Sequence, residues 1–159
     1  MSKWVIEAMK YLGQKEITGP RHNPFILQLW KDIKRGGIKD DETPWCAAFA
    51  GAMLERVGIR STRFESAKSY ETWGVALAKP VYGCVVVFSR DGGGHVGFVV
   101  GETPDGLLLV LGGNQDNEVN IRRFKRERAT AFRYPEGFPV PTSPLPVVAS
   151  VSTFSKSEA

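Results

Sequence analysis

Cysteine and histidine are scarce in this chain, two of each in 159 residues, and that scarcity excludes two common ways of stapling a small fold. Cys46 and Cys84 are too few for a disulfide framework. With His22 and His95 they match no spacing of the C-x-x-C and H-x-x-x-H kind that holds zinc. Long apolar runs are also missing, since no window nears the ~20 apolar residues that a bilayer span needs. The opening MSKWVIEAMKYLG is interrupted by Glu7 and Lys10 where a signal peptide has its apolar centre, so a soluble protein made in the cytoplasm is expected. No internal repeat is visible. Charge of one sign is only mildly in excess: a net +4 tolerates acidic partners but falls short of a nucleic-acid signature without a matching fold.

What is present suffices for one compact core. A chain of 159 residues with 42% hydrophobic content buries roughly two-thirds of its unfolded surface. The first third reads as helical. WVIEAMKYLG repeats apolar residues on one helical face and ends at Gly13, a C-cap type. NPFILQLWKDIKRGG has Asn23 as N-cap, Pro24 at the first helical position, and Gly36-Gly37 as its stop. A third helix, about Pro44 to Val57, is apolar almost all round until Glu55 and Arg56 and therefore belongs in the core. After a polar connection containing SAKSYETWG, the period changes to that of strands: CVVVFS, HVGFVVG, GLLLVLGG, VNIRRF and ATAFR. RDGGG and TPDG are short enough for hairpins, so a mostly antiparallel sheet is expected. From Tyr134 onward proline and small polar residues dominate. The expected organisation is an α+β domain over residues 1–135, helices packed on a C-terminal antiparallel sheet, with a flexible proline-rich tail over 136–159.

Three residues stand where chemistry is placed. Thr43-Pro44 is a helix-start signal, which seats Cys46 at the third helical position beside unsatisfied N–H groups and the positive end of the helix dipole. Such a seat favours thiolate over the free pKa of about 8.5. A small hydrophobe among alanines is the alternative reading of Cys46. Cys84, between VYG and VVVF, reads as core. Alternation in HVGFVVG puts His95, Gly97 and Val99 on one face, and the missing side chain at Gly97 leaves room for a helix or ligand to approach. His22 lies in a loop ahead of a helix and reads as a surface residue. In LLLVLGGNQDN the apolar run breaks at Gly112-Gly113 and delivers Asn114, Gln115 and Asp116 at a strand end. A side chain there that binds one imidazole nitrogen leaves the other to take a thiol proton, and Asn114 is the nearest candidate. Turn formation alone accounts for the same residues.

TPWCAAF, GGHVGFVVG and LGGNQ, in that order, closely resemble the CHAP domains (cysteine, histidine-dependent amidohydrolase/peptidase) of the papain-like superfamily, and among them the small single-domain proteins of bacteriophages and prophages. The resemblance covers roughly Trp4 to Pro135. It implies a papain-like fold and a peptidoglycan hydrolase resembling a phage endolysin, with Cys46 as nucleophile, His95 as general base and then acid, and Asn114 as the orienting residue. The bond cut is left open between the muramoyl-L-alanine amide and a peptide bond of the stem or cross-link. Many CHAP domains carry a glutamate two positions before the asparagine; here Gly112 stands there, so Asn114 acts alone or with Gln115 or Asp116. Some CHAP domains bind calcium ahead of the cysteine. Asp40, Asp41 and Glu42 offer hard oxygen ligands in that region but lack the spacing of a dedicated loop, so no cofactor is expected.

Trp45, Trp73 and Gln115 are the candidate substrate contacts, the tryptophans as an apolar wall for a peptide stem or sugar ring; packing is the alternative for both. The segment IRRFKRERATAFR offers a basic face to cell-wall carboxylates. The expected partner is bacterial peptidoglycan, with no nucleic acid and no membrane, engaged by a monomer. As an endolysin it resides in the host cytoplasm until a membrane pore admits it to the wall; action from the phage tail during entry is equally open. A non-catalytic phage structural or wall-binding protein that retains the fold is the rival reading.

Overall fold

The computed structural model describes residues 2–17, 22–38, 44–90 and 93–149. The expected α+β architecture is present: three helices precede a six-stranded sheet ordered β1-β6-β2-β3-β4-β5 in which all neighbours are antiparallel. Its strands are β1 (Val75–Ala76), β2 (Val85–Arg90), β3 (Gly93–Glu102), β4 (Leu108–Gly112), β5 (Asn120–Phe124) and β6 (Ala129–Tyr134). The SAKSYETWG connection contains a 3-10 helix, Ala67–Thr72, and leads into β1, which is too short to leave a periodic signal. No helix among the described residues is long and apolar enough to cross a membrane.

Each helix forms for a local reason and is held by a distant one. α1 (Lys3–Met9) buries Trp4, Val5 and Ala8. The Trp4 indole N–H donates to Gly83 O at 2.7 Å, and its ring meets Tyr134 and Phe138 edge-on. α2 (Pro24–Asp32) starts as expected, with Asn23 Oδ1 accepting from Phe25 N at 2.8 Å and Pro24 in the first turn. α3 (Cys46–Arg56) is buried from Cys46 to Leu54, which explains its lack of an amphipathic pattern. It begins two residues later than expected: Trp45 takes the N-cap position, so Cys46 is the first helical residue and not the third. Thr43, the expected cap, lies outside the described residues.

The sheet is strongly curled. Phe88 of β2 and Phe124 of β5 stack at 4.5 Å with β3 and β4 between them, whereas three flat strand spacings span on the order of 14 Å. Register shifts between Val87 and Phe88 and between Val99 and Gly101 mark the irregularities where such bending is absorbed. Gly97 lies on the face that carries His95. A Cβ there meets Val110 Cγ1 at 2.6 Å, so the space expected for a helix or ligand is taken by the neighbouring strand. The 3-10 helix approaches the other face, with Ala67 and Lys68 nearest to Gly94. The described part of the proline-rich segment runs against the domain: Glu102 N donates to Pro146 O at 2.9 Å, Val148 N to Glu102 O at 2.8 Å, and Leu145 is buried.

The C-terminal end of α3 is anchored by Glu55. Its Oε2 accepts from Ser61 N (3.0 Å), Ser61 Oγ (2.9 Å) and Arg63 Nε (2.9 Å). Burial pushes the Glu55 carboxyl up, but these donors together outweigh it and hold its pKa below the ordinary 4.5. A depressed carboxyl pKa stabilises the fold above the unfolded-state value and loses that contribution as pH falls through the folded-state value. Glu55→Gln is therefore expected to cost about 1–3 kcal/mol at pH 7 in urea unfolding, with the gap to the parent protein shrinking below pH 4.5.

Candidate active site

The loop that closes β4 onto β5 is built from residues that tolerate left-handed backbone. Asn114, Asp116 and Asn117 have φ of 58°, 56° and 64°, the conformation that asparagine and aspartate adopt most readily after glycine. Gln115 N donates to Glu118 O at 3.1 Å, closing the turn. The segment after α1 stitches this loop in place. Gly13 N bonds Val119 O (2.8 Å), Val119 N bonds Gln14 O (2.8 Å), and Glu16 N bonds Asn117 O (3.0 Å). The same segment reaches the start of α3, where the Trp45 indole N–H donates to Glu16 Oε1 at 3.3 Å.

The turn conformation sends Gln115 inward. It is 5% exposed, and its Oε1 lies 2.8 Å from Nε2 of His95, itself 1% exposed. Three oxygens surround the Gln115 Nε2: Val110 O at 3.2 Å, Asn120 O at 3.0 Å and Asn120 Oδ1 at 2.9 Å. Only the amide nitrogen can face three acceptors, so the oxygen is the atom turned to the imidazole. An acceptor at 2.8 Å requires that His95 carry its proton on Nε2, which leaves Nδ1 as the basic nitrogen. The ring also has two aromatic neighbours, which stack on each other at 4.5 Å. It stacks on Phe124 at 5.4 Å and 13°, with Phe88, its cross-strand partner, nearly parallel at 6.4 Å.

Gly112 and Gly113 adjoin this histidine and the helix in turn. A Cβ at Gly112 comes within 2.6 Å of Gln115 Oε1 and 3.4 Å of His95 Nε2. At Gly113 it comes within 2.6 Å of Phe49 Cβ and 2.7 Å of the Trp45 ring. One dipeptide thus has the imidazole on one flank and the first turn of α3, where Cys46 sits 6% exposed, on the other. Cys84 is fully buried in the core, and burial pushes its thiol up to about 12, so it stays protonated and inert.

The other sequence candidates fall out differently. The hydrogen bond assigned to Asn114 is made by Gln115, and the half-buried Asn114 instead lines a polar cleft of about 460 Å³ with Gln115, Asp116, Asn117, Arg122 and Phe124. Gln115, expected to touch substrate, is turned toward His95. Trp45 is fully buried, packed against the diglycine, and presents no wall to a ligand. Trp73 lies beside β1, at the sheet edge opposite β5. Its indole donates to Arg60 O at 2.9 Å and its ring packs against Tyr70. Asp40, Asp41 and Glu42 lie outside the described residues. Asn120 was missed from sequence because it reads as an ordinary strand residue; its one signal is that it is the polar residue opposite Gly112 in the β4–β5 register.

Gly112→Ala is expected to destabilise the protein by about 1–3 kcal/mol in urea unfolding, because the Gln115 carboxamide is bonded at its other end and cannot yield without breaking those bonds. An unchanged midpoint contradicts the packing described.

Comparison with curated proteins gives no significant match. Comparison with family models matches residues 38–114 to the CHAP domain. That span holds both Cys46 and His95 and ends one residue before Gln115. CHAP domains are amidase/peptidase hydrolase domains that act on peptidoglycan. The match spans the helix that opens on Cys46 and the strand that carries His95, and it supports a CHAP domain over residues 38–114 of the chain.

Proposed function

We propose that this protein is a thiol-dependent peptidoglycan hydrolase in which Cys46 is the nucleophile, His95 the base and then the acid, and Gln115, in place of Asn114, the residue that orients the imidazole. The observation that carries this reading is the 2.8 Å bond from His95 Nε2 to a Gln115 oxygen whose orientation its neighbours dictate. It leaves His95 Nδ1 to accept a proton, and the first turn of α3 is the element across the diglycine.

The chemistry follows from those roles. Nδ1 takes the proton of the Cys46 thiol, and the helix N-terminus favours the negative sulfur. The thiolate adds to an amide carbonyl of the wall. Collapse of that adduct breaks the C–N bond as the imidazolium protonates the departing amine, leaving a thioester. Water, deprotonated by the same imidazole, hydrolyses the thioester and restores the thiol. Phe124, stacked nearly parallel to the imidazole, favours one ring plane through both proton transfers. The polar cleft lined by Asn114 and Arg122 adjoins the imidazole through Gln115 and Phe124 and supplies the place for a peptide stem. The resemblance to small phage proteins supports an endolysin role, with the amide cut being either the muramoyl bond or one in the stem or cross-link.

Cys46→Ser is expected to abolish clearing of purified sacculi, while Cys84→Ser retains it. Equal clearing by both variants would reject Cys46 as the nucleophile, whereas a parent protein that binds sacculi without clearing them would leave a wall-binding protein that keeps the fold. Gln115→Ala is expected to lower kcat roughly tenfold or more, whereas Asn114→Ala changes chiefly KM. The reverse pattern returns the orienting role to Asn114. Mass spectrometry of the digested wall identifies the bond.

A further inference from the structure

The direction of the hydrogen bonds behind His95 is set by a residue that touches neither the imidazole nor the cleft. Asn120, the first residue of β5, meets Gln115 twice: its Nδ2 donates to the Gln115 main-chain O at 2.9 Å, and its Oδ1 accepts from Gln115 Nε2 at 2.9 Å. A main-chain carbonyl can only accept. Asn120 must therefore turn its NH2 toward that carbonyl and its oxygen toward the Gln115 side chain. Gln115 in turn presents NH2 to Asn120 and oxygen to His95, and His95 must hold its proton on Nε2. One invariant acceptor of the backbone propagates polarity through two side-chain amides to a ring nitrogen.

We infer that Asn120 is a positioning residue that fixes the His95 imidazole as the Nε2–H tautomer, and so keeps Nδ1 available as the base. This rests on the reading of His95 as the proton carrier. The backbone oxygens of Val110 and Asn120 give the Gln115 amide the same preference, at 3.2 and 3.0 Å, but they do not restrain the Gln115 backbone. Only the Asn120 side chain grips both ends of the residue. Asn120 is half-buried and pairs with Gly112, whose lack of a side chain leaves the room that Gln115 Oε1 occupies.

The test reads the tautomer directly and without substrate. The chain has two histidines, so in a His22→Gln background long-range proton–nitrogen NMR of the 15N-labelled protein reports His95 alone. With Asn120 present, the neutral ring is expected as a single species, proton on Nε2. Asn120→Ala is expected to give a mixture of tautomers and to lower kcat on a soluble muropeptide about tenfold, with KM within about twofold, part of the 10²–10⁴ that a positioned acid–base group supplies. Asn120→Asp keeps an acceptor for Gln115 Nε2 but loses the donor to the Gln115 carbonyl, and is expected to give mixed tautomers and a lowered kcat as Asn120→Ala does. A proton on Nδ1 in the parent, or an Asn120→Ala protein with an unmixed Nε2–H ring and parental kcat, overturns the inference. Should Asn120→Ala not fold, Asn120→Asp decides: a folded variant with an unmixed Nε2–H ring and parental kcat overturns it too. Loss of the functional reading is seen separately, as clearing that survives Cys46→Ser, and leaves the NMR result standing.

Discussion

A buried carboxamide with oxygens on every side of its nitrogen can point only one way, and the candidate site of this protein depends on that constraint. The Gln115 amide is surrounded by Val110 O, Asn120 O and Asn120 Oδ1 on one side and by the His95 ring on the other. Reversal would set its oxygen against three others in a region closed to water, where an unmade hydrogen bond costs more than a made one stabilises. The surrounding features serve this arrangement. Gly112 contributes no side chain where the amide lies, the left-handed turn of Asn114, Asp116 and Asn117 sends Gln115 inward, and β5 brings Asn120 alongside.

The sheet supplies the enclosure. Because it curls, a ring from β2 and a ring from β5 meet beside a histidine on β3, and residues far apart in sheet order become one aromatic cluster. A flat sheet with the same hydrogen bonds leaves His95 with one aromatic neighbour at most. Curvature also accounts for Gly97: its bare position serves the closing of the sheet on itself, through Val110, and no ligand is needed to explain it.

The sequence made the elements legible wherever a period was long and its ends were marked. Asn23-Pro24 located α2, the buried run after Pro44 located α3, and alternation located five of the six strands. Cys46 and His95 were legible for a different reason: scarcity of both residue types left few competitors. What stayed hidden was decided by geometry that composition does not encode. Asn114 and Gln115 are adjacent amides at the same strand end, and which one faces the ring is decided by the left-handed turn and the acceptors around Gln115, neither of which composition encodes. Trp45 looked like a ligand wall because it neighbours the cysteine, but a residue at the N-cap of a core helix packs against whatever covers that helix, here Gly113. Asn120 gave no warning because its role exists only in the β4–β5 register.

The strap formed by residues 13 to 16 bears on how the molecule is born. It lies flat against Asn117 and Val119, so although Asn23 and Trp45 reach it early, its main-chain bonds wait until about a hundred later residues have emerged. Contacts of such long separation form late, after the local helices and hairpins. The turn that carries Gln115 therefore gains its outer support only when these two distant stretches of the fold meet.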